Sequence, residues 1–443
     1  ARILHGWGKR VHGSDRRISP ITEALQAEGI AVAVGHAAGN VAGADLVLAS
    51  SAVLDTNPEL VGARERGIRV ARRPEFLPEL TAGYDVIAVA GAHGKTTVTG
   101  MAASVLLSAG LDPTYIVGGI VLNLQTNGHA GSGRQFVIEA DEYRRTFLAL
   151  RPTVAVVTNV EFDHPDCYRN MAHLRLAFVE FVGNIVPGGV LIACGDDPVA
   201  HAIAASYHAN GGRIVLYGMV PEAGYSWQAR DIATNSTGGL SFRAEHEGEV
   251  VGRFDLQVPG EFNVANALAV LGIAAELGID LQVTQQALQA YTGTARRFEI
   301  LGEADGVTVI DDYAHHPTQI RGVLQAARRR YGGRRLLAVW EPHTFSRIRA
   351  LHAEFMESFG AADQVLVMPI YAAREADDGS LTAQDLALTV AHHAVQWAAS
   401  LEDAVARIAA AAQPGDVVML MGAGNETIVG RRLVDILRQR ELG

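Results

Sequence analysis

"VAGAHGKTTVTG", residues 89–100, follows the apolar run Tyr84-Asp85-Val86-Ile87-Ala88 and precedes the helix-like stretch Met101-Ala102-Ala103-Ser104-Val105-Leu106-Leu107. A strand, a glycine-rich turn and a helix in that order usually hold phosphate. Gly91 and Gly94 allow a tight turn whose backbone N–H groups converge on anionic oxygens, and the helix adds its positive N-terminal end. Lys95 supplies a point charge for β- and γ-phosphates, and Thr96 a hydroxyl for Mg²⁺. The strict phosphate-loop pattern asks for glycine five residues before Gly94, where Val89 stands. A loop that begins at Gly91 tolerates this, because the cradle is made by the residues just before the lysine. The competing reading is an ordinary strand–helix turn. Gly-Lys-Thr-Thr between a good strand and a good helix favours phosphate.

Outward from this loop, short β-branched strands alternate with Ala/Leu-rich helical stretches, the pattern of α/β units with mostly parallel sheets. Polar, reactive residues come directly after the apolar runs. "DVIAVA" leads to Gly91–Thr97, "FVI" to Glu139-Ala140-Asp141-Glu142, and "VAVVTN" to Glu161, Asp163 and His164. "VTVI" leads to Asp311-Asp312-Tyr313-Ala314-His315-His316, "LLAVW" to Glu341-Pro342-His343, and "VVMLM" to Gly422-Ala423-Gly424-Asn425. Ligands of open parallel sheets bind outside the carboxyl ends of the strands, so the six strand ends read as an active-site rim. Breaks in the pattern near Thr81-Ala82-Gly83 and Thr292-Gly293-Thr294 predict domains over 1–83, 84–294 and 295–443, with a β-rich insertion over 213–258.

Composition limits the partners. The net charge of −11 makes the chain a poor match for a nucleic-acid backbone. No apolar run approaches the length of a membrane span, and no basic amphipathic segment suggests a membrane surface. Two cysteines, Cys167 and Cys194, are too few for a disulfide framework and fit a reducing cytoplasm. The first residues, "ARILHGWGKRVHGSD", read as the end of a helix running into a short strand rather than as a signal peptide.

Glu139, at the tip of a strand, is placed to complete a magnesium site with Thr96. His164, in the acidic stretch Asn159-Val160-Glu161-Phe162-Asp163-His164, reads as a ligand of a second metal or a phosphate orienter, against the alternative of a solvated turn.

Taken in order, "GAHGKTT", "EADEY", "TNVEFDHPDCY", "FNVANALA", "RRFE", "DDYAHHPTQI" and "PHTFSR" resemble the motifs of the Mur ligases of peptidoglycan synthesis, over essentially the whole chain. Among them the likeness is to the branch that adds L-alanine to UDP-N-acetylmuramate. Valine is normal before that family's G-x-H-G-K-T-T loop. The resemblance implies an α/β fold of three domains: a truncated Rossmann-like N-terminal domain for the UDP-sugar, a central P-loop ATPase-like parallel-sheet domain, and a C-terminal Rossmann-like domain for the amino acid. By the same resemblance Gly91, Ala92, His93, Gly94, Lys95, Thr96 and Thr97 wrap the ATP phosphates. Thr96, Glu139 and His164 serve Mg²⁺, for which Mn²⁺ can substitute. Asn263 and Asn266 lie near the adenine, with an N-cap pair as their alternative reading. Arg297 and Asp311 lie near the nucleotide, and Tyr313, His315 and Arg347 face L-alanine and the reacting centre. Ser14, Asp15, His36, Ser50 and Ser51 match the uridine pocket.

Departures from the family are also legible. Its first strand and glycine-rich loop precede the point where this sequence starts, so a weakened UDP-sugar affinity is expected. Thr344 stands where the alanine-adding branch usually has arginine, and Asn425 where aspartate is usual. No lysine occurs in Ala177-Phe178-Val179-Glu180-Phe181, where several sister ligases carry a carbamylated one; the alanine-adding branch lacks it too. The implied reaction is ATP-driven amide formation through an acyl phosphate. Lys95, His164, His315 and Arg347 are the candidate catalytic groups, and His315 either takes the ammonium proton or orients the substrate. A tripeptide-recycling ligase, a folylpolyglutamate synthase, a nicotinamide oxidoreductase and a non-catalytic binding protein are the competing readings. No full G-x-G-x-x-G follows a strand, which weighs against the nicotinamide enzyme.

Overall fold

The computed structural model describes residues 1–50, 53–221, 223–377 and 379–442. Its largest element is a ten-stranded sheet whose middle is parallel. There Arg213–Gly218, Val190–Cys194, Val154–Val157, Asp85–Ala90, Gln135–Glu139 and Thr114–Val121 lie side by side. The strand Asp85–Ala90 is apolar at nearly every position because it is covered on both faces. Ile87 and Val89 enter one core, and Val86, Ala88 and Ala90 the other. The β-rich stretch expected over 213–258 is not a separate insertion. Arg213–Gly218 pairs in parallel with Val190–Cys194, and Trp227–Thr234, Leu240–His246 and Glu249–Leu256 continue the same sheet to its edge.

A second sheet of six strands runs Glu299–Ala304, Val307–Asp312, Val417–Met421, Leu336–Trp340, Gln364–Val367, Val395–Trp397. All but the first pair in parallel. The helix Pro317–Tyr331 buries Ile320, Val323, Leu324 and Ala327 on one stripe, spaced for a 3.6-residue period. His316 caps it, Pro317 opens it with a pre-set φ, and Gln319 bonds back to the cap. At the front of the chain, His12–Asp15 pairs with Ala31–Val34 and Leu46–Ala49 with Arg69–Arg72, as two separate parallel pairs. The first helix, Arg2–Gly6, ties this part to the large sheet. Arg2 donates to Asn127 at 2.8 Å, and Trp7 stacks on Tyr84 with ring centroids 5.8 Å apart.

The segment after the Gln135–Glu139 strand is held by aromatic packing. Phe147, wholly buried, stacks on Phe181 at 4.9 Å and meets Phe178 edge-on at 5.2 Å. That packing fixes the turn carrying Asp141 and Glu142, in which Arg144 and Arg145 take positive φ of 51° and 57°. Replacing Phe147 by alanine is expected to cost about 3–5 kcal/mol. Urea unfolding followed by intrinsic fluorescence would show it, and a change below about 1 kcal/mol would mean this aromatic stack does not anchor the turn.

Candidate active site

The phosphate loop lies between the strand Asp85–Ala90 and the helix Lys95–Ser108. Two glycines are required by geometry. Gly91 has φ 141° and Gly94 φ 83°, and a Cβ on them would lie 2.0 Å from Thr158 Oγ1 and 2.5 Å from Asn266 Oδ1. The next strand end braces the loop: Ala92 N–H donates to Asn159 O (3.1 Å), His93 N–H to Asn159 Oδ1 (2.8 Å), and Thr158 Oγ1 to His93 O (2.5 Å).

Lys95 Nζ donates to Gly91 O (2.5 Å) and to both oxygens of Glu142 (3.0 and 2.8 Å). Burial alone would lower the ammonium pKa; Glu142, Asp141 and Glu139 outweigh it and hold it above its ordinary value. Glu142 in turn is pushed up by burial, which Lys95 only partly offsets. Thr96 Oγ1 donates to Glu139 Oε1 at 3.0 Å, and Gly118 N–H holds the other oxygen at 2.7 Å. His164, in left-handed backbone conformation (φ 55°), places Nε2 3.7 Å from Glu142 and 3.8 Å from Asp163. Among the described contacts none joins His164 to Thr96 or Glu139.

Asp163 connects this rim to the second sheet. Arg347 Nε donates to Asp163 Oδ1 at 2.7 Å, both side chains being about 95% buried. Arg347 also bonds His343 Nδ1 at 2.7 Å, and His315 Nε2 lies 3.8 Å from Asp163. Burial would raise the Asp163 pKa; Arg347, His164 and His315 hold it well below the carboxylate range. His315 Nδ1–H donates to Tyr313 O (2.8 Å), which leaves Nε2 with the lone pair. Tyr313 lies under the guanidinium carbons of Arg296 (4.8 Å) and Arg297 (5.2 Å).

Other expected residues fall elsewhere. Asp311 is wholly buried; it lies 3.4 Å from Arg296 and accepts from Thr427 (2.8 Å), and burial pushes its pKa up to about 7. Asn263 and Asn266 are not an N-cap pair, because the cap of the helix Glu261–Glu276 is Gly260. Asn263 donates to Pro259 O (2.7 Å) and receives from Asn266 (3.0 Å), whose Oδ1 then faces Gly94. Far from these, Ser14 bonds His36 Nδ1 (3.0 Å) and Glu59 (2.7 Å). Asp15 and Ser50 are exposed at the ends of their strands, and Ser51 lies outside the described residues. Sequence reasoning placed Glu142, Glu161, Asp163 and His343 on the rim by their position after strands but gave them no role, and it did not select Gln319.

Fold and site define a phosphate-loop enzyme built from α/β domains. The chain belongs to the Mur ligase family: the Mur ligase family catalytic domain matches residues 1–85, the middle domain 89–274, and the glutamate ligase domain 296–424. It is 42% identical to the UDP-N-acetylmuramate–L-alanine ligase of Frankia casuarinae, over 99% of this chain and 94% of that one. Identity to the enzyme of the same name from Syntrophobacter fumaroxidans is also 42%, covering 99% and 93%. The crystal structure of UDP-N-acetylmuramate-alanine ligase MurC from Thermotoga maritima superposes with a TM-score of 0.82 at 28% identity, covering 100% of this chain and 96% of that one. A murein peptide ligase from Psychrobacter arcticus follows at 0.74 and 27%, covering 98% and 95%. The three-domain architecture expected from the motifs is therefore the architecture of the chain.

The buried histidines make a pH prediction. Burial is the largest cause holding His315 down to about 3 and His316 and His343 to about 4. The unfolded chain takes up these protons below about pH 6.5 and the folded chain does not. Stability is thus fully present above pH 6.5 and lost as pH falls, by up to about 1.4 kcal/mol per pH unit for each histidine. Asp163, with its depressed pKa, adds a loss only below about pH 4. Urea midpoints between pH 7.5 and 5 should fall accordingly, and less steeply in His316→Asn; equal slopes would rule out a buried neutral His316.

Proposed function

We propose that the chain joins L-alanine to the lactyl carboxylate of UDP-N-acetylmuramate, with ATP, through an acyl phosphate, releasing ADP and phosphate. This is a step of peptidoglycan precursor synthesis, placed in the cytoplasm. No described helix is long and apolar enough to cross a membrane. The observation that carries the reading is the juxtaposition of Lys95, Thr96 and Glu139 on one rim with Arg347, His315 and Tyr313 on the other, joined at Asp163. The likeness to alanine-adding ligases along nearly the whole chain supplies the substrate class.

In this reading the lactyl carboxylate attacks the γ-phosphorus of ATP, and the β–γ bridging oxygen leaves with ADP. The amine of L-alanine then adds to the acyl carbonyl; the C–O bond to phosphate breaks with its electron pair on phosphate, which takes up the proton lost by nitrogen. Both reactants of the first step are anionic, so charge must be neutralised around the phosphate. Lys95 and the N-terminal end of its helix are the protein groups available. The Lys95 ammonium, now shared with Glu142, must be given over to phosphate oxygens when ATP enters. Thr96 and Glu139 offer two hard oxygens 3.0 Å apart, the donor chemistry Mg²⁺ takes, and would hold it beside the phosphates. Bound Mg²⁺ supplies positive charge there. His164 is a softer donor for a second ion.

Arg347 reads as the group that grips the alanine carboxylate, with Asp163 fixing its plane. A His315 held down to about 3 is a poor proton store. Its free Nε2 lone pair suits it to orient the ammonium of the incoming amino acid. Asn266, packed on Gly94, links the adenine side to the loop. Ser14 and His36 with Glu59 form the polar cluster assigned to the UDP-sugar. Asp311, with no exposed surface, acts through Arg296 and Thr427.

The test is incubation with UDP-N-acetylmuramate, ATP and Mg²⁺ plus alanine, serine or glycine, read by mass spectrometry. The alanyl conjugate should form only with ATP present. Lys95→Ala should lower kcat by about 10³-fold or more. Because that change also strands buried Glu142, Glu142→Gln serves as its companion and should retain more activity than Lys95→Ala. Unchanged turnover in Lys95→Ala would favour a non-catalytic binding protein.

A further inference from the structure

His93, Glu161 and His316 present ligand atoms within 4.8 Å of one another, the spacing of a cation site. Their hydrogen bonds assign them differently. Gln319 Oε1 accepts two backbone N–H groups, from His315 (3.0 Å) and His316 (3.3 Å), which fixes the amide so that Nε2 faces His93 Nδ1 at 2.9 Å. His93 Nδ1 is then the acceptor, and its proton sits on Nε2, donating to Glu161 Oε2 at 2.6 Å. Flipping the amide would set an NH₂ group against two backbone donors. His316 Nε2–H donates to Phe162 O (3.2 Å), and its Nδ1 lone pair receives Thr318 N–H (3.3 Å). Neither imidazole keeps a free lone pair for a metal. The other oxygen of Glu161 accepts Thr318 Oγ1 at 2.5 Å.

We propose that Gln319 is a positioning residue that clasps the phosphate loop to the amino-acid side of the site. The bonds form a closed ring: His93 to Gln319, along the first turn of the helix Pro317–Tyr331 to Thr318, across to Glu161, and back to His93. His93 lies between Gly91 and Gly94 in the loop. His315 hangs from the same glutamine oxygen by its backbone N–H. Displacement of the loop is therefore felt at His315, and the reverse, through one side-chain amide. The inference rests on the ligase reading above and adds to it the route by which the two ends of the site are coupled.

Gln319→Glu tests it, because glutamate keeps the acceptor that caps the helix and replaces the donor to His93 by a second, negatively charged acceptor. The variant should show a KM for L-alanine raised about fivefold or more and a lower kcat. Its KM for ATP should stay within about twofold, with an unchanged melting temperature. His93→Asn, a change within the phosphate loop itself, should also raise the KM for L-alanine, and for that KM the double variant should be no worse than either alone, as for two halves of one contact. Additive losses, or an altered ATP KM with an unchanged alanine KM, would overturn the proposal. A second measurement does not need turnover: a non-hydrolysable ATP analogue should slow amide exchange over residues 313–320 in the parent chain and not in Gln319→Glu. Equal protection in both would also overturn it. Wild-type product formation, run alongside, reports separately on the ligase reading. Stoichiometric Zn²⁺ or Mn²⁺ retained by the parent and lost in His93→Asn would restore the metal site and remove the clasp.

Discussion

Asp163 receives Arg347 from the second sheet on one oxygen, at 2.7 Å, and lies 3.8 Å from both His164 and His315 on the other. Through this one carboxylate the rim that carries the phosphate loop and the rim that carries the amino-acid groups face each other at fixed distance. Taking both charges out of water is expensive, and a buried ion pair often gains little over an apolar pair of the same volume. Leaving one partner alone costs about 3–5 kcal/mol. The pair thus penalises every docking of the two sheets except the one that satisfies both charges. That discrimination matters more here than net stability, because reacting groups must meet within a fraction of an ångström.

The same economy of charge shows in the phosphate loop. The chain has only two lysines, Lys9 and Lys95, among its 37 basic residues. Elsewhere arginine does the pairing, as in Arg347 with Asp163, Arg335 with Asp416 and Arg328 with Asp363. A guanidinium is a rigid planar fork, whereas an ammonium is a compact point charge that can pass from one set of oxygens to another. At Lys95 that property is needed. The ammonium now satisfies Gly91 O and Glu142, and the same three donors are the ones a phosphate would claim. Glu142 keeps the lysine charged and in place, at the cost of its own desolvation.

Local order carried most of what the sequence disclosed. The loop 89–100, the strand ends at Glu139 and His164, and the capping pattern of Pro317–Tyr331 are each written within a few residues, so period and turn chemistry suffice to read them. One misreading and one discarded alternative were also local. The stretch 213–258 looked like an insertion because alternation does not say which sheet a strand joins, and a cap was an alternative for Asn263 and Asn266 only because Gly260 is a weaker signal than asparagine. What local order cannot state is partnership. Asp163 and Arg347 are 184 residues apart, and His93 and Gln319 226. Six strand ends bearing reactive residues could be seen, and the break near Thr292-Gly293-Thr294 divided them three and three, but that the two groups face each other could not be seen. The motif resemblance supplied that arrangement, and superposition on a solved alanine-adding enzyme agrees with it.

Thr344 shows how the second rim accommodates its departure from the family pattern. The residue has φ 62°, where a β-branched side chain is strained. Backbone bonds hold it there: Thr344 N–H donates to Tyr371 O (2.9 Å), and Tyr371 N–H to Pro342 O (2.8 Å). Tyr371 also stacks on His343 at 5.7 Å, and His343 bonds Arg347. The strained residue therefore begins the helix Phe345–Ala350 at the angle that delivers Arg347 to Asp163. An arginine side chain at 344 would add a second cation beside Arg347, whose field already helps depress His315 and His343. With threonine there, Arg347 is the guanidinium that pairs with Asp163 on this rim. Its orientation is set by two partners, Asp163 from one sheet and His343 from the other, which together fix the plane of the guanidinium.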